Sequence, residues 1–190
     1  MGISLNKMRV AATVPSVNRG TAIGVLRRAP YTPGVVRQVA MPPATRSLST
    51  LSHVDYEDAF LVETGPAKDR TGEQWARAIL EDAPILTRSA LLLGWSSLGL
   101  RLSSARSDRY VLGWKVLGST PDFALLAAGS RLGLPAQLLF KRQRHTLLFC
   151  TFVQQENAIA RAVWAGVEPV HRQVVPYVLE QASLRERRRR

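Results

Sequence analysis

The sequence predicts an α+β domain in which an antiparallel sheet packs against a long C-terminal helix. Three observations lead there. A capping box at "TGEQ" starts a helix soon after a first strand-like run. Short apolar runs separated by turn-like stretches then fill residues 109–154. From Ala160 to Ala182, apolar residues recur at steps of three and four, the period of one helical face.

In chain order, residues 1–50 are rich in Pro, Gly, Ser, Thr and Arg and lack a sustained period. They predict a mostly disordered basic extension, with a late segment, "VVRQVAMP", packing on the domain. The absence of acids there also matches an organellar transit peptide, and a mis-assigned upstream start is a third reading. The domain is expected over 51–184. "HVDYEDAFLVET" reads as the first strand, with Phe60 and Val62 on one side and Leu61 and Glu63 on the other. Thr71 and Gln74 form the capping box, and Trp75, Ile79 and Leu80 make the stripe of the first helix. Pro84 suits the start of a second helix through "ILTRSALLLGWSSL", which ends near Gly99.

The runs "RYVLGWKVLGS", "DFALLAAGS", "AQLLFKRQ" and "HTLLFCTFVQQ" predict an antiparallel meander. In the last, His145, Leu147, Phe149, Thr151 and Val153 share one face, and Thr146, Leu148, Cys150, Phe152 and Gln154 the other. Both faces are largely apolar, which predicts a central strand covered on both sides. The final helix presents Ala160, Trp164, Val167, His171, Val174, Val178 and Ala182 on one face, and contains Pro169 and Pro176. Glu168 and Arg172 are spaced as an i,i+4 pair.

A formal charge of +12 raises the question of nucleic acid, but its distribution matters more. Residues 1–54 carry +7, residues 185–190 carry +4, and 55–184 only +1. The charge belongs to the two ends, whereas a folded nucleic-acid reader places a basic face on the domain itself. No specific nucleic-acid motif is present. "RERRRR" is read as a disordered basic tail, either solvated or tethering the chain to an anionic polymer or membrane surface. No window offers the roughly 18 uninterrupted apolar residues of a spanning helix; the best, "PILTRSALLLGWSSLGL", is interrupted by Arg88 and serines. No secretory h-region is present, and a cytoplasmic protein is expected. The single cysteine, Cys150, excludes a disulfide framework and a multi-cysteine zinc site. Its apolar run predicts a buried, inert thiol.

The element order resembles the helix-grip fold of the START and polyketide-cyclase (SRPBCC) superfamily. The words "VDYEDAF", "VLGW" and "NAIARAVWAGVEPVHRQVVPYVLEQA" resemble an uncharacterised bacterial family common in actinobacteria, domain of unknown function 2867. The resemblance covers roughly residues 50–184. It implies a curved antiparallel sheet wrapped around the C-terminal helix, with a cavity between them. Related domains also occur behind nucleotide-binding reductase domains, but no G-x-G-x-x-G follows a strand here, and no cofactor is expected. The resemblance carries no catalytic residues over.

His171 is the one candidate for chemistry. Facing the sheet, it either orients a ligand or moves a proton, or it serves the packing. Pro169 and Pro176 remove the donors for the carbonyls of Ala165 and Arg172, and an imidazole N–H is one group that can replace them. Trp114, Phe149, Trp164 and Tyr177 join His171 as candidate ligand-binding residues, with core packing as the alternative. Tyr110 and Ser130 are further hydroxyls, and Arg131 reads as a turn arginine or an inward cation. The carboxylates of "DYED" and "EDAP" are expected to be exposed at element ends. No G-x-S-x-G elbow and no H-E-x-x-H pattern occurs, so neither a nucleophilic triad nor a metal site is expected. Three functions remain: binding a hydrophobic or amphipathic small molecule, a cyclase- or hydratase-like enzyme using His171, and an interaction module acting through its basic ends. Whether the chain is an enzyme stays open.

Overall fold

Seven antiparallel strands form one sheet in the order β1-β2-β7-β6-β5-β4-β3. The computed structural model describes residues 35–64, 70–104 and 107–188. Strands are β1 (Val36–Val39), β2 (Tyr56–Glu63), β3 (Tyr110–Val111), β4 (Trp114–Ser119), β5 (Phe123–Ala128), β6 (Ala136–Arg142) and β7 (Thr146–Val153). Helices are α1 (Pro43–Arg46), α2 (Gly72–Leu80), α3 (Ile85–Ser97) and α4 (Ala158–Arg188). The expected α+β class holds, with two helices after the first long strand and a long C-terminal helix on the sheet. From β2 onward the order is consistent with a helix-grip-like fold.

β7 lies between β2 and β6, and its two apolar faces enter two different cores. Leu147, Phe149 and Val153 join the larger one beneath α2 and α4, while Leu148, Cys150 and Phe152 join the smaller one on the opposite face. That second face is covered by Val39, Met41, Leu48, Leu51 and Val54. Two buried glutamines fix this cover. Gln137 Oε1 accepts from Ser49 Oγ and Thr50 N–H, and Gln154 Oε1 accepts from Ser52 Oγ and N–H. Packing therefore begins ahead of residue 51: β1 adds an edge strand beside β2, and the segment after it seals the sheet. The rest of the expected extension, residues 1–34, lies outside the described residues.

Three local details differ from the sequence reading. "RYVLGWKVLGS" is a hairpin, not one strand, because Leu112 (φ 45°) and Gly113 (φ 87°) make a two-residue turn between Val111 and Trp114. Positive φ at both positions is the turn that matches strand twist. Leucine at such a φ is costly, and Glu81 Oε1 holds it by accepting the Leu112 N–H at 3.0 Å. On α4, Val175 rather than Val174 packs on the core, and Val174 is 38% exposed. Finally, α4 continues to Arg188, into the segment read as a tail from Arg185. Glu186 pairs with Arg70 at 2.9 Å, and Arg70 lies over Trp75, which ties this end down. Arg189 and Arg190 lie outside the described residues.

The capping box on α2 is present in full, and Trp75, Ala76, Ile79 and Leu80 are buried. α3 differs in kind. It is strongly apolar yet buries no residue: Leu91 and Trp95 rest partly on the core, while Ile85, Leu86 and Leu93 face outward. Among the described residues no helix is long and apolar enough to cross a membrane.

Candidate functional site

The period of two along β2 aims Tyr56, Asp58, Phe60 and Val62 at α4. Asp58 stands directly opposite Thr151 on β7. From the helix side, α4 delivers Trp164 and His171, two turns apart on one face. The three elements meet in a buried polar cluster. The Tyr56 hydroxyl donates to Asp58 Oδ2 at 2.8 Å, and His171 Nε2 lies 3.0 Å from the same oxygen. Because the carboxylate oxygen accepts, Nε2 carries the proton that it donates. Trp164 packs on both rings, with its centroid 4.7 Å from Tyr56 and 5.3 Å from His171.

Asp58 corrects the reading of "DYED" as exposed carboxylates: it is only 4% exposed. In "EDAP", Glu81 is instead occupied by Arg77 and the Leu112 N–H. Burial, then the adjacent Asp58 carboxylate, pushes the Tyr56 phenol well above its usual range, against a smaller opposing effect of Arg172. Arg172 in turn pairs with Glu168 at 2.6 Å, the expected i,i+4 pair. His171 also answers the question posed by the two prolines, since its Nε2 bonds a carboxylate and not a freed helix carbonyl.

Two small hollows adjoin the cluster and share Trp95, Leu138 and His171 as walls. One, of about 40 Å³, is walled further by Trp114, Thr151 and Trp164. The other, of about 70 Å³, lies between α2, α3 and α4, against Leu80, Leu91, Phe149, Val175 and Leu179. Of the five candidate ligand-binding residues, Trp114, Trp164 and His171 therefore meet at the first hollow, and Phe149 and His171 at the second. Tyr177 is 55% exposed and lines neither. Tyr110 lies at an outer groove beside Arg77, Ser130 Oγ donates to the Leu98 carbonyl, and Arg131 is exposed on its turn. Cys150 is buried on the other side of the sheet.

Four buried polar atoms here have no protein partner: Asp58 Oδ1, Trp114 Nε1, Thr151 Oγ1 and Trp164 Nε1. Trp114, Thr151 and Trp164 wall the smaller hollow, and Asp58 is bonded to another of its polar walls, His171. Sequence reasoning missed Tyr56, Asp58, Thr151 and Trp95. A signal existed for the first two, because continuing the alternation of Phe60 and Val62 backwards places Asp58 and Tyr56 on the inner face. Among the described residues no group of His, Cys, Asp or Glu is arranged to hold a metal ion. No family model, no curated protein and no solved structure matches the chain.

Proposed function

We propose that this protein binds a small hydrophobic or amphipathic molecule between its sheet, α3 and α4, with the Tyr56–Asp58–His171 cluster as the polar end of the site. The observation that carries the reading is that this cluster borders two apolar hollows. Pockets for drug-sized ligands run to about 300–1,000 Å³. The hollows, at 40 and 70 Å³, fit only a smaller molecule unless their cover moves. α3 is a cover able to move, since it buries no residue of its own and touches the core mainly through Leu91 and Trp95. The element order supports placing the chain in the helix-grip superfamily, and the quoted C-terminal words support the uncharacterised bacterial family as its home.

Native mass spectrometry of the purified full-length chain tests the reading. A co-purified small molecule, released when Leu138→Phe fills the wall shared by both hollows, is the expected result. A chain that carries no adduct and gains no thermal stability from any apolar or amphipathic additive overturns it.

A second reading is acid/base chemistry at His171. It is favoured by the bond to Asp58, which fixes the tautomer and orientation of the ring as catalytic sites do. It requires that a bound molecule turn over, and that His171→Gln abolish turnover while leaving binding in place.

A further inference from the structure

The four unpartnered polar atoms say more about the ligand than the hollows do. Each belongs to a side chain at least nine-tenths buried: Trp114 at 1%, Thr151 at 3%, Asp58 at 4% and Trp164 at 5% exposure. Buried polar groups are nearly always hydrogen-bonded, and leaving one unmade costs about 1–3 kcal/mol. Three of them, on Trp114, Thr151 and Trp164, wall one small space and together describe the complement of a polar group.

Their chemistry defines that group. An indole N–H only donates, a carboxylate oxygen only accepts, and a threonine hydroxyl does both. Of the four, Trp114, Thr151 and Trp164 wall the smaller hollow, so the complementary group must accept from the two indoles and also donate to Thr151. A hydroxyl does both. A ketone or aldehyde oxygen accepts two bonds and donates none, which leaves one of the three groups unmet. A carboxylate or phosphate is worse placed, because no lysine or arginine lines either hollow and Asp58 lies just behind His171.

Resting on the proposed binding function, we infer that the ligand is an uncharged alcohol, its hydroxyl in the hollow among Trp114, Thr151 and Trp164 and its apolar body in the neighbouring hollow beneath α3. The larger hollow is walled, apart from His171 and the indole of Trp95, by aliphatic side chains and Phe149. A dry cavity of about 150 Å³ takes a benzene-sized molecule, more than the hollows at 40 and 70 Å³ hold together, so a ring enters only as α3 yields.

Isothermal titration of the full-length chain with benzyl alcohol, benzaldehyde, toluene and benzoate reads this directly. Benzyl alcohol is expected to bind about tenfold tighter than toluene or benzoate, with benzaldehyde between, the scale of one or two satisfied buried hydrogen bonds. Trp114→Phe and Trp164→Phe keep the ring and remove the N–H. Each should weaken benzyl alcohol about three- to tenfold and leave toluene within about twofold. If toluene or benzoate binds as tightly as benzyl alcohol, or if both tryptophan variants weaken toluene and alcohol equally, the hydroxyl assignment is wrong while ligand binding stands. If none of the four binds, the alcohol assignment falls and the polar atoms serve trapped water, while the binding function is decided by its own test for a co-purified adduct. The wild-type series decides the matter even if a tryptophan variant fails to fold.

Discussion

Asp58 on β2 and His171 on α4, 113 residues apart in sequence, share a 3.0 Å hydrogen bond that joins the first long strand to the last helix. The same Asp58 oxygen also accepts from Tyr56, so one buried atom ties three side chains together. Removing one member leaves the others in an apolar setting. His171→Ala is expected to cost about 2–4 kcal/mol of folding stability, because it strips a buried carboxylate of one of its two donors. Asp58→Leu combined with His171→Leu should cost clearly less than the sum of the singles, since both polar groups leave at once. Urea denaturation of the four proteins in a double-mutant cycle measures this; strictly additive losses would show that the two residues do not interact.

Alkaline stability follows from two buried acids. Burial, aided by the Asp58 charge, pushes the Cys150 thiol up to about 12, and the Tyr56 phenol is raised for the same reasons. In both, the folded protein holds a proton that the unfolded chain gives up sooner. Their contribution is complete below about pH 9 and is lost as pH rises through the folded values. Unfolding free energy should fall by about 1 kcal/mol between about pH 8 and pH 10 on account of Cys150 alone. Cys150→Ala should flatten that slope, and in the native protein the thiol should resist alkylation until urea exposes it. Rapid native alkylation at about pH 8 would contradict the burial.

On the acid side, the salt-bridged hub at Arg77 carries a prediction of its own. Arg77 bonds Glu73, Glu81 and the carbonyls of Asp108 and Tyr110, joining α2 to the β3 approach. Burial of Glu73 favours its neutral form, but hydrogen bonds from Arg77 and Ser119 outweigh that and hold its carboxyl below the usual range. The stability it supplies is present above about pH 4.5 and is lost as pH falls through the lower folded value. Arg77→Lys cannot reproduce the forked contacts, and a loss of about 1 kcal/mol at neutral pH is expected, shrinking below about pH 4. A Lys variant with an unchanged acid limb would place the stabilisation elsewhere.

Three glycines separate packing from backbone preference. A Cβ on Gly72 would lie 2.5 Å from the backbone of Phe123, where nothing can yield cheaply. Gly72→Ala should therefore destabilise by about 2–4 kcal/mol, as overpacking against a fixed strand does. Gly94 in α3 and Gly166 in α4 meet nothing within 4 Å. Alanine at either should stabilise by about 0.5–1 kcal/mol through helix propensity. Thermal unfolding of the three variants gives the signs at once.

The legible parts of this fold were those written as a period. The capping box, the two apolar faces of β7 and the spacing of Trp164 with His171 each follow from local pattern, and each is present. What escaped depended on distant partners. The late segment "VVRQVAMP" packs on the domain as expected, but its form as an edge strand, Val36–Val39, shows only once β2 supplies the edge it pairs with. The turn at Leu112–Gly113 carries a leucine where turns ordinarily place Asn or Gly, and Glu81 from another element holds it. Asp58 sits in an acidic word whose composition suggests solvent, while its position in the alternation says core. Composition and register conflicted there, and the conflict marks the candidate site, as expected of functional positions.

The pairing of β2 with β7 has a consequence for how the chain is made. Tyr56 meets Val153 across the sheet, and everything from α2 to β6 lies between them in sequence. Such non-local pairing slows folding, because a long loop must close before its contacts reward it. β2, with Ala59, Phe60 and Val62 all buried in the end, leaves the ribosome long before its partner is synthesised. Until β7 emerges, the edge of β2 that faces it stays unpaired beside buried-to-be apolar side chains, the kind of edge that pairs with another copy of itself.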